Sequence, residues 1–453
     1  VPPAIHSTAV ILASGDEILT GQLLDTNTRW IAEQLVSRGI MPIAHAASPD
    51  DLPSLVEMIR RACSAAPLVI LTGGLGPTEG DLTRQAIAQV LNEPLIEDAK
   101  AAESIRTYFE KRGRATSERQ LRQAQRPARA TCLPNTNGTA PGLHAQVQNP
   151  KSEISNLKSP CDFFALPGPP GELRPMFERE VLPRLRPDPS RTVITRLLHI
   201  IGLPEADCVD RLRGLTSRGR AETDALVGIT ASGGVLTLRI RYSGPGPRAA
   251  TEQAINTAES AAREALGDHL LPLSAHQHDT GQEALARHLL TTLAESNPPA
   301  TLATVESCTG GMLGELLTAI PGSSAAYCGG FITYANAMKE SLGVDPELTK
   351  VHGAVSAEVA KAMARAGIER TGARYSLAIT GIAGPDGGTA AKPVGTVHIA
   401  LTGAGEPATS RRFLFTGDRE DVRRRATTTA LTMLHFHQKG HAAGTPRLLW
   451  ETT

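Results

Sequence analysis

From Thr8 onward, short apolar runs alternate with segments whose apolar residues recur at helical spacing, and no other feature restricts the fold as strongly. Residues 8–13 read as a strand, 25–38 as a helix stopped by Gly39, and 40–44 as a second strand. Leu52, Leu55, Val56, Ile59 and Cys63 fall at i, i+3, i+4, i+7 and i+11, one apolar stripe at the α-helical period. Leu68-Val69-Ile70-Leu71 is apolar throughout, as a strand covered on both faces must be. This βαβα rhythm predicts a doubly wound parallel sheet, in which ligands sit beyond the carboxyl ends of the strands. Turn-rich segments fall at those ends. Ser14-Gly15-Asp16-Glu17 follows the first strand, the run from Thr72 to Thr78 the third, and that from Ala165 to Pro170 a later one.

The rhythm returns in the C-terminal half. Leu285, Leu289 and Leu293 mark a helix, 302–305 a strand, 312–320 a helix, 330–334 a strand and 356–367 a helix. Residues 375–380 and 396–401 follow as strands and 419–434 as a long final helix, after which the chain from Gly440 loses periodicity and reads as a loose tail. Between the halves lie a strand (196–201), a helix (204–215), a hairpin about Gly233-Gly234 and a helix (249–266). This small module has no G-x-x-G loop of the kind that marks a KH-type RNA binder, so spacing or dimerisation is its default role. The expected fold class is α/β: two doubly wound α/β domains joined by a small α+β middle module. The boundaries are 1–186, 190–272 and 280–440, with a tail at 441–453. The length of 453 residues agrees, at roughly 100–200 residues per domain. Residues 148–160 are polar and aperiodic, and they read as a long loop insertion in a hairpin spanning 142–166.

Composition removes several classes of function. Lysine plus arginine and aspartate plus glutamate both number 46, so no net field exists to hold polyanions or anionic lipid, and neither nucleic acid nor membrane is an expected partner. Aromatic residues make up only 3%, too few for a stacking platform. The six cysteines (Cys63, Cys132, Cys161, Cys208, Cys308, Cys328) show no C-x-x-C pairing, which fits a reducing compartment. No apolar run approaches the ~18 residues of a membrane span, and Val1-Pro2-Pro3 does not open a signal sequence, so a cytoplasmic location is expected.

Glu306-Ser307-Cys308-Thr309-Gly310-Gly311 sits where a strand turns into a helix. Such a turn lifts a side chain out of the sheet, and the glycines leave backbone N–H groups free to face a developing oxyanion. Ser307 is therefore a candidate nucleophile, though the glycines equally suit close helix–sheet packing. Cys308 is a weaker rival, because adjacent residues point opposite ways. No histidine of this half has an obvious claim as base; a desolvated lysine serves instead, and Tyr334-Ala335-Asn336-Ala337-Met338-Lys339 supplies one. The run from Thr380 to Gly388 is a further Gly-rich loop at a strand end.

In the first half, Gly73-Gly74-Leu75-Gly76-Pro77-Thr78 with Asp81 reads as a phosphate cradle that lacks the Gly-Lys-Ser/Thr ending of a P-loop. Asp16, Glu17, Asp25 and Asp81 offer hard oxygen ligands for a divalent cation, with helix capping as the plainer reading of Asp25. Zinc spacing is absent from the sequence.

On these residues the chain resembles the CinA (competence/damage-inducible) family along nearly its whole length. The N-terminal blocks are 15–22 with Asp25-Thr26-Asn27, 73–83, 138–142 and 166–173, similar to a molybdopterin-binding-type domain. The resemblance implies metal-dependent ADP-ribose pyrophosphatase activity there, with Asp16, Glu17 and Asp81 at the metal and Gly73, Gly74, Gly76 and Thr78 at the substrate. Where the family reads Gly-Pro-Thr-x-Asp-Asp-x-Thr, this chain has Gly80 in place of the first acid of the pair. The C-terminal blocks, 306–311, 334–339, 352–356, 380–385 and 392–396, resemble nicotinamide-nucleotide amidase. That implies hydrolysis of nicotinamide mononucleotide (NMN) without a cofactor, in pyridine nucleotide salvage. Ser307 is then the nucleophile, Lys339 its base and Tyr334 its partner, with Thr380 and Arg419 as supporting contacts. Glu306, Thr309, Gly310, Gly311, Gly381 and Gly384 surround the substrate, with the N–H groups of Gly310 and Gly311 as the oxyanion site. A homodimer is expected from the family alone. The rival readings are a molybdopterin-binding module and a non-catalytic competence or DNA-damage accessory.

Overall fold

The computed structural model describes residues 4–148, 160–216, 225–245, 248–273 and 279–452. These fall into two compact units: the chain up to Ile194 with Ser243–Thr251, and Thr195–Tyr242 with the residues from Glu252. Most of the expected insertion at 148–160 lies outside the described residues.

The first unit holds β1 (Thr8–Ser14), β2 (Met41–Ser48), β3 (Leu68–Thr72), β4 (Leu95–Glu97), β5 (Gln125–Pro127), β6 (Thr131–Leu133), β7 (Gly142–Val147) and β8 (Cys161–Leu166). Six of them form one sheet in the order β2-β1-β3-β8-β7-β6, and β4 and β5 make a separate ribbon. The strands β2, β1, β3 and β8 run parallel; β7 and β6 extend the sheet antiparallel. Both faces are covered. Val10, Leu12, Val69 and Leu71 pack on Leu55, Ile59 and Cys63 of helix Leu52–Ala65, while Ile11 and Ile70 pack with Ile31 and Leu35 of helix Thr26–Val36. The stripe from Leu52 to Cys63 is thus the buried face of its helix. Asp25 accepts from the N–H of Thr28 and caps its helix.

At the amino end of β8, Asp162 is buried and receives four partners, one of them the Gln146 amide (Nε2 to Oδ1 3.4 Å). His6 Nε2 lies 2.9 Å away and His144 Nε2 3.1 Å away, and the Arg186 guanidinium completes the cluster. Because the backbone N–H of Arg186 donates to His6 Nδ1 (3.1 Å), the His6 proton sits on Nε2 and points at the carboxylate. Burial alone raises the Asp162 pKa, but the two histidine bonds and the Arg186 charge outweigh it and hold the carboxyl well below the usual range.

β9 (Arg191–Ile201), β10 (Leu226–Ser232) and β11 (Val235–Pro245), mostly in the second unit, form an antiparallel sheet ordered β10-β11-β9; helix Arg248–Leu266 follows, with Glu259 bound by Arg196 of β9 (2.7 Å). Ser232 pairs directly with Val235, so Gly233 and Gly234 make a two-residue turn; both have positive φ, as the primed hairpin turns require. The larger sheet holds β12 (Leu302–Glu306), β13 (Tyr327–Ile332), β14 (Tyr375–Gly381), β15 (Thr396–Gly403), β16 (Thr409–Leu414) and β17 (Glu451–Thr452), ordered β13-β12-β14-β15-β16-β17. Its first three strands are parallel and the rest antiparallel. Helix Ala357–Thr371 covers one face through Val359, Ala360 and Met363 against Val305, Ala378 and Ala400. Helices Gly281–Ala294, Met312–Thr318 and Arg419–Gln438 cover the other, over Leu302, Leu377, Ile379 and Ile399.

Two expectations need correction. The middle module is no mere spacer: Ile201, Val235 and Leu271 share one apolar core with Leu285, Leu431 and Phe436. Nor is the end of the chain loose. Glu451–Thr452 adds an edge strand to β16, Leu448 is buried, and the Glu451 carboxylate is bound by the Arg411 guanidinium (Nε to Oε1 2.8 Å). Two residues of strand are too short to show a period.

Asp162→Asn removes the only carboxylate of its cluster, and breaking such a buried pair costs about 3–5 kcal/mol. Urea unfolding at pH 7, followed by Trp30 emission in a Trp450→Phe background, should show that loss. Since the folded-state pKa is depressed, the stabilisation is complete above the unfolded carboxylate pKa of about 4, and the gap between the two proteins should close as pH falls below it.

Candidate active site

β12 ends at Glu306, but its ladder continues one residue further, with the Ser307 N–H donating to the Ile379 carbonyl (2.9 Å). Alternation along the strand sets the side on which each neighbouring residue emerges. Val305 faces helix Ala357–Thr371 and so does Ser307, whereas Cys308 turns into the core of the opposite face. Gly310 and Gly311 then adopt φ of +60° and +98° and pass the chain into helix Met312–Thr318.

Lys339 lies on helix Asn336–Leu342, just after β13, and only 1% of it is exposed. Its Nζ is 3.2 Å from Ser307 Oγ and donates to the carbonyls of Thr333 (2.8 Å) and Tyr334 (3.5 Å). Burial pushes the Lys339 pKa below the ordinary lysine range. Two acceptors that carry no formal charge leave the third ammonium position aimed at the serine oxygen. Deprotonated, the same nitrogen presents a lone pair there. The Cys308 thiol is buried too, and burial pushes its pKa up to about 12, which removes it as a rival nucleophile.

The remaining expected residues divide between the site and its supports. Tyr334 is 61% exposed, and its hydroxyl accepts from the Arg419 guanidinium (2.9 Å), which also donates to the Gly384 carbonyl (2.5 Å). Thr380 Oγ1 donates to the Ala354 carbonyl (2.8 Å), pinning the loop before helix Ala357–Thr371. Glu306 is buried against a helix start, not a substrate: its carboxylate accepts from the N–H groups of Gly311 (3.0 Å), Leu313 (3.1 Å) and Gly314 (2.9 Å). That bond and one from the Gly310 N–H to the Ser307 carbonyl (3.1 Å) take up both groups expected to hold the oxyanion. The Thr309 N–H has no partner among the described residues and the Cys308 N–H has only its own Sγ; both lie next along the chain from Ser307. At Gly381 a Cβ meets Val397 Cγ2 at 2.6 Å, so this glycine serves strand packing.

Two further residues of the site had no role assigned from sequence, although Lys392 opens the 392–396 block and Arg423 lies close to Arg419. Arg423 donates through Nε (3.2 Å) and a terminal nitrogen (2.7 Å) to the Thr309 carbonyl. Lying one turn after Arg419 on the same helix, it was signalled by i, i+4 spacing alone. Lys392 donates to the carbonyls of His352 (2.9 Å) and Val355 (2.8 Å) and so ties two motif blocks together.

In the first unit the expected metal set does not assemble. Asp81 accepts from the N–H groups of Gly76 and Thr78 (both 2.7 Å) and from the Thr78 hydroxyl (2.5 Å), closing its own loop. The Gly73 N–H donates to the Leu166 carbonyl (3.0 Å), so of the four expected cradle residues Gly74 alone has an N–H without a partner among the described residues. A Cβ on Gly73 falls 2.3 Å from the Ser14 carbonyl oxygen, so only glycine lets these loops approach. Asp16 instead neighbours Asp50, whose N–H donates to Asp16 Oδ1 (3.2 Å). Burial and the charges of Asp16 and Glu17 raise the Asp50 pKa. Among the described residues no three His, Cys, Asp or Glu side chains form a group able to hold a metal ion.

Residues 10–187 match the family described as "Probable molybdopterin binding domain", 195–270 "Damage-inducible protein CinA KH domain" and 282–437 "CinA C-terminal domain". The KH match was hidden from motif reading because G-x-x-G is absent. A competence-damage inducible relative from Symbiobacterium thermophilum is 38% identical over 96% of this chain and 99% of its own length. A CinA-like protein from Anaeromyxobacter sp. (strain Fw109-5) is 37% identical over 94% of this chain and 98% of its own. A solved structure, competence/damage inducible protein CihA from Agrobacterium tumefaciens, is 39% identical over 34% of this chain and 94% of its own, with a TM-score of 0.33. Among the described residues no helix is long and apolar enough to cross a membrane.

The two candidate nucleophiles separate by reactivity. Iodoacetamide at pH 8 should leave Cys308 unmodified in the native protein and label it after denaturation, as read by peptide mass spectrometry; native labelling at a rate near that of free cysteine contradicts the assignment.

Proposed function

The chain belongs to the CinA family, and on that premise we propose that its C-terminal half hydrolyses the carboxamide of NMN to nicotinate mononucleotide and ammonia. The observation that carries this reading is the buried Lys339 Nζ 3.2 Å from Ser307 Oγ. Neutral Lys339 takes the hydroxyl proton as Ser307 Oγ bonds to the carboxamide carbon. The oxygen of the resulting tetrahedral adduct faces the N–H groups of Cys308 and Thr309. Collapse of the adduct breaks the C–N bond, and the lysine proton goes to the departing nitrogen, which leaves as ammonia. Water, deprotonated by the now neutral lysine, cleaves the acyl-serine and releases the carboxylate. Tyr334, held by Arg419, stands at the mouth of the site and orients the incoming ring or its proton. Arg423 holds the Thr309 peptide and acts through it, as a positioning residue.

Divalent-metal chemistry in the N-terminal unit, implied by the family, does not fit the side chains present. Asp81 fills its own loop, and Gly80 lacks the carboxylate that the family places there. A Cβ built on Gly80 lies 3.5 Å from Asp50 Oδ2. We therefore read this unit, on its match to a molybdopterin binding domain, as one that binds a pterin-type ligand without cleaving ADP-ribose.

Ammonia release from NMN should fall about 10²–10⁴-fold in Ser307→Ala and Lys339→Ala, while Cys308→Ala keeps most of it. An inactive Cys308→Ala beside an active Ser307→Ala reverses the assignment. The active form carries neutral Lys339, so the rate should rise with pH, with its inflection below the ordinary lysine pKa of about 10.4. ADP-ribose incubated with Mg²⁺ or Mn²⁺ should stay intact; cleavage that Asp16→Ala abolishes overturns the ligand-holding reading.

A further inference from the structure

The strand register lines up a row of polar side chains that the hydrolytic chemistry does not use. Ser307 sits one step past the Glu306↔Ile379 pair, alongside Thr380. Thr380 pairs with His398 across β14 and β15, and His398 pairs with Arg412 across β15 and β16. Ala378↔Ala400, two residues back, lies under helix Ala357–Thr371. The row Ser307, Thr380, His398, Arg412 therefore runs across four strands on the face that carries the nucleophile.

Several features make the far end of this row suited to an anion. His398 is half-buried, and its Nδ1 is shielded from solvent with no hydrogen-bond partner. Arg412 donates to the Ala391 carbonyl (3.1 Å), which brings its guanidinium beside Lys392. Lys392 Nζ holds the His352 and Val355 carbonyls and keeps one proton unassigned. The Thr380–Ala354 bond places the start of helix Ala357–Thr371 at this end of the sheet, with its N-terminal partial positive charge. One acid opposes them: Glu358, in the first turn, whose carboxylate lies 3.9 Å from His352 Nδ1. Burial, with Arg412 and Lys392 next to it, lowers the His398 pKa to about 4, so the ring is neutral at physiological pH; a bound dianion reverses that field.

We propose that His398, Arg412 and Lys392 form the seat for the phosphate of a ribotide substrate whose carboxamide lies at Ser307. The inference rests on the amidase reading above and adds to it the group that separates a ribotide from its riboside. Two strand spacings separate His398 from Ser307, about 10 Å, which matches the reach from carboxamide to phosphate across a pyridine ring and a ribose. Arg412, a third spacing away, reaches back with a long side chain.

Steady-state ammonia release from NMN by the full chain tests this, with wild type compared to His398→Gln and Arg412→Gln. A charge-assisted hydrogen bond remote from the chemistry is lost from ground and transition states alike. KM should therefore rise about 10- to 100-fold with kcat little changed, and Arg412→Lys should recover part of it. Unchanged KM in both variants, or a loss confined to kcat, overturns the phosphate seat and leaves the amidase reading standing. Calorimetric titration with inorganic phosphate separates the remaining case. If wild type is inert on NMN, the amidase reading fails; saturable phosphate binding that Arg412→Gln removes then still supports the seat, and its absence sinks it.

Discussion

A lysine ammonium taken out of water is the constraint on which the C-terminal half depends. Desolvating such an ion costs several kcal/mol unless its protons find acceptors, and the structure answers with two carbonyls and one serine oxygen. No carboxylate is among them. An aspartate in that position stabilises the ammonium and leaves Ser307 without a base, whereas carbonyls satisfy the geometry and leave the charge uncompensated. Burial lowers the Lys339 pKa, and with no carboxylate beside the ammonium nothing of that kind offsets it. Much of the surroundings serves to hold the arrangement. The β12–β13 pairing brings the end of one strand to the end of the other, and Thr333 donates its N–H to the Glu306 carbonyl (2.7 Å), so the carbonyl that receives Lys339 is itself fixed.

The buried carboxylate of Glu306 solves a different problem at the same turn. A helix beginning beside a sheet leaves unpaired N–H groups in a dry place. Three of them converge on this one side chain, and its charge opposes the positive end of the helix. The cost is that the Gly311 N–H no longer faces outward, while that of Gly310 is taken by the Ser307 carbonyl. The N–H groups left least occupied at the turn are those of Cys308 and Thr309, and Arg423 fixes the Thr309 carbonyl.

The parts of the fold readable in the sequence were those that depend on local period. Helix Leu52–Ala65, the strand at Leu68–Thr72 and the turn at Gly233-Gly234 all followed from spacing or turn chemistry. Ser307 and Lys339 were separable as a pair because one sits at a strand-to-helix turn and the other one helical turn past a strand end. The unreadable parts depend on partners far along the chain. An aspartate before a helix looks the same whether it waits for a metal or closes its own loop, and Asp81 does the second. Neither the pairing of His398 with Thr380 nor the burial of Leu448 leaves a local trace, since both are set by which strands become neighbours.

The Gly-rich strand ends of the two units therefore share a backbone form and differ in what fills it. In the first unit the loop from Gly73 to Asp81 takes its anion from within, and Asp81 binds the N–H groups of Gly76 and Thr78 that a phosphate needs. In the second, the loop from Ser307 to Gly311 has its glycine N–H groups satisfied as well, but the Ser307 hydroxyl lies 3.2 Å from the buried Lys339 Nζ. A ligand of the first unit has to displace Asp81 or bind beside it, at Gly74 and the Asp16–Asp50 side of the cleft. There the Asp16 and Asp50 carboxylates repel a phosphate, and the burial and neighbouring charges that raise the Asp50 pKa soften that repulsion only as the pH falls. Composition cannot separate these outcomes: a neutral chain with many glycines contains one loop closed by its own carboxylate and another whose serine hydroxyl meets a buried lysine.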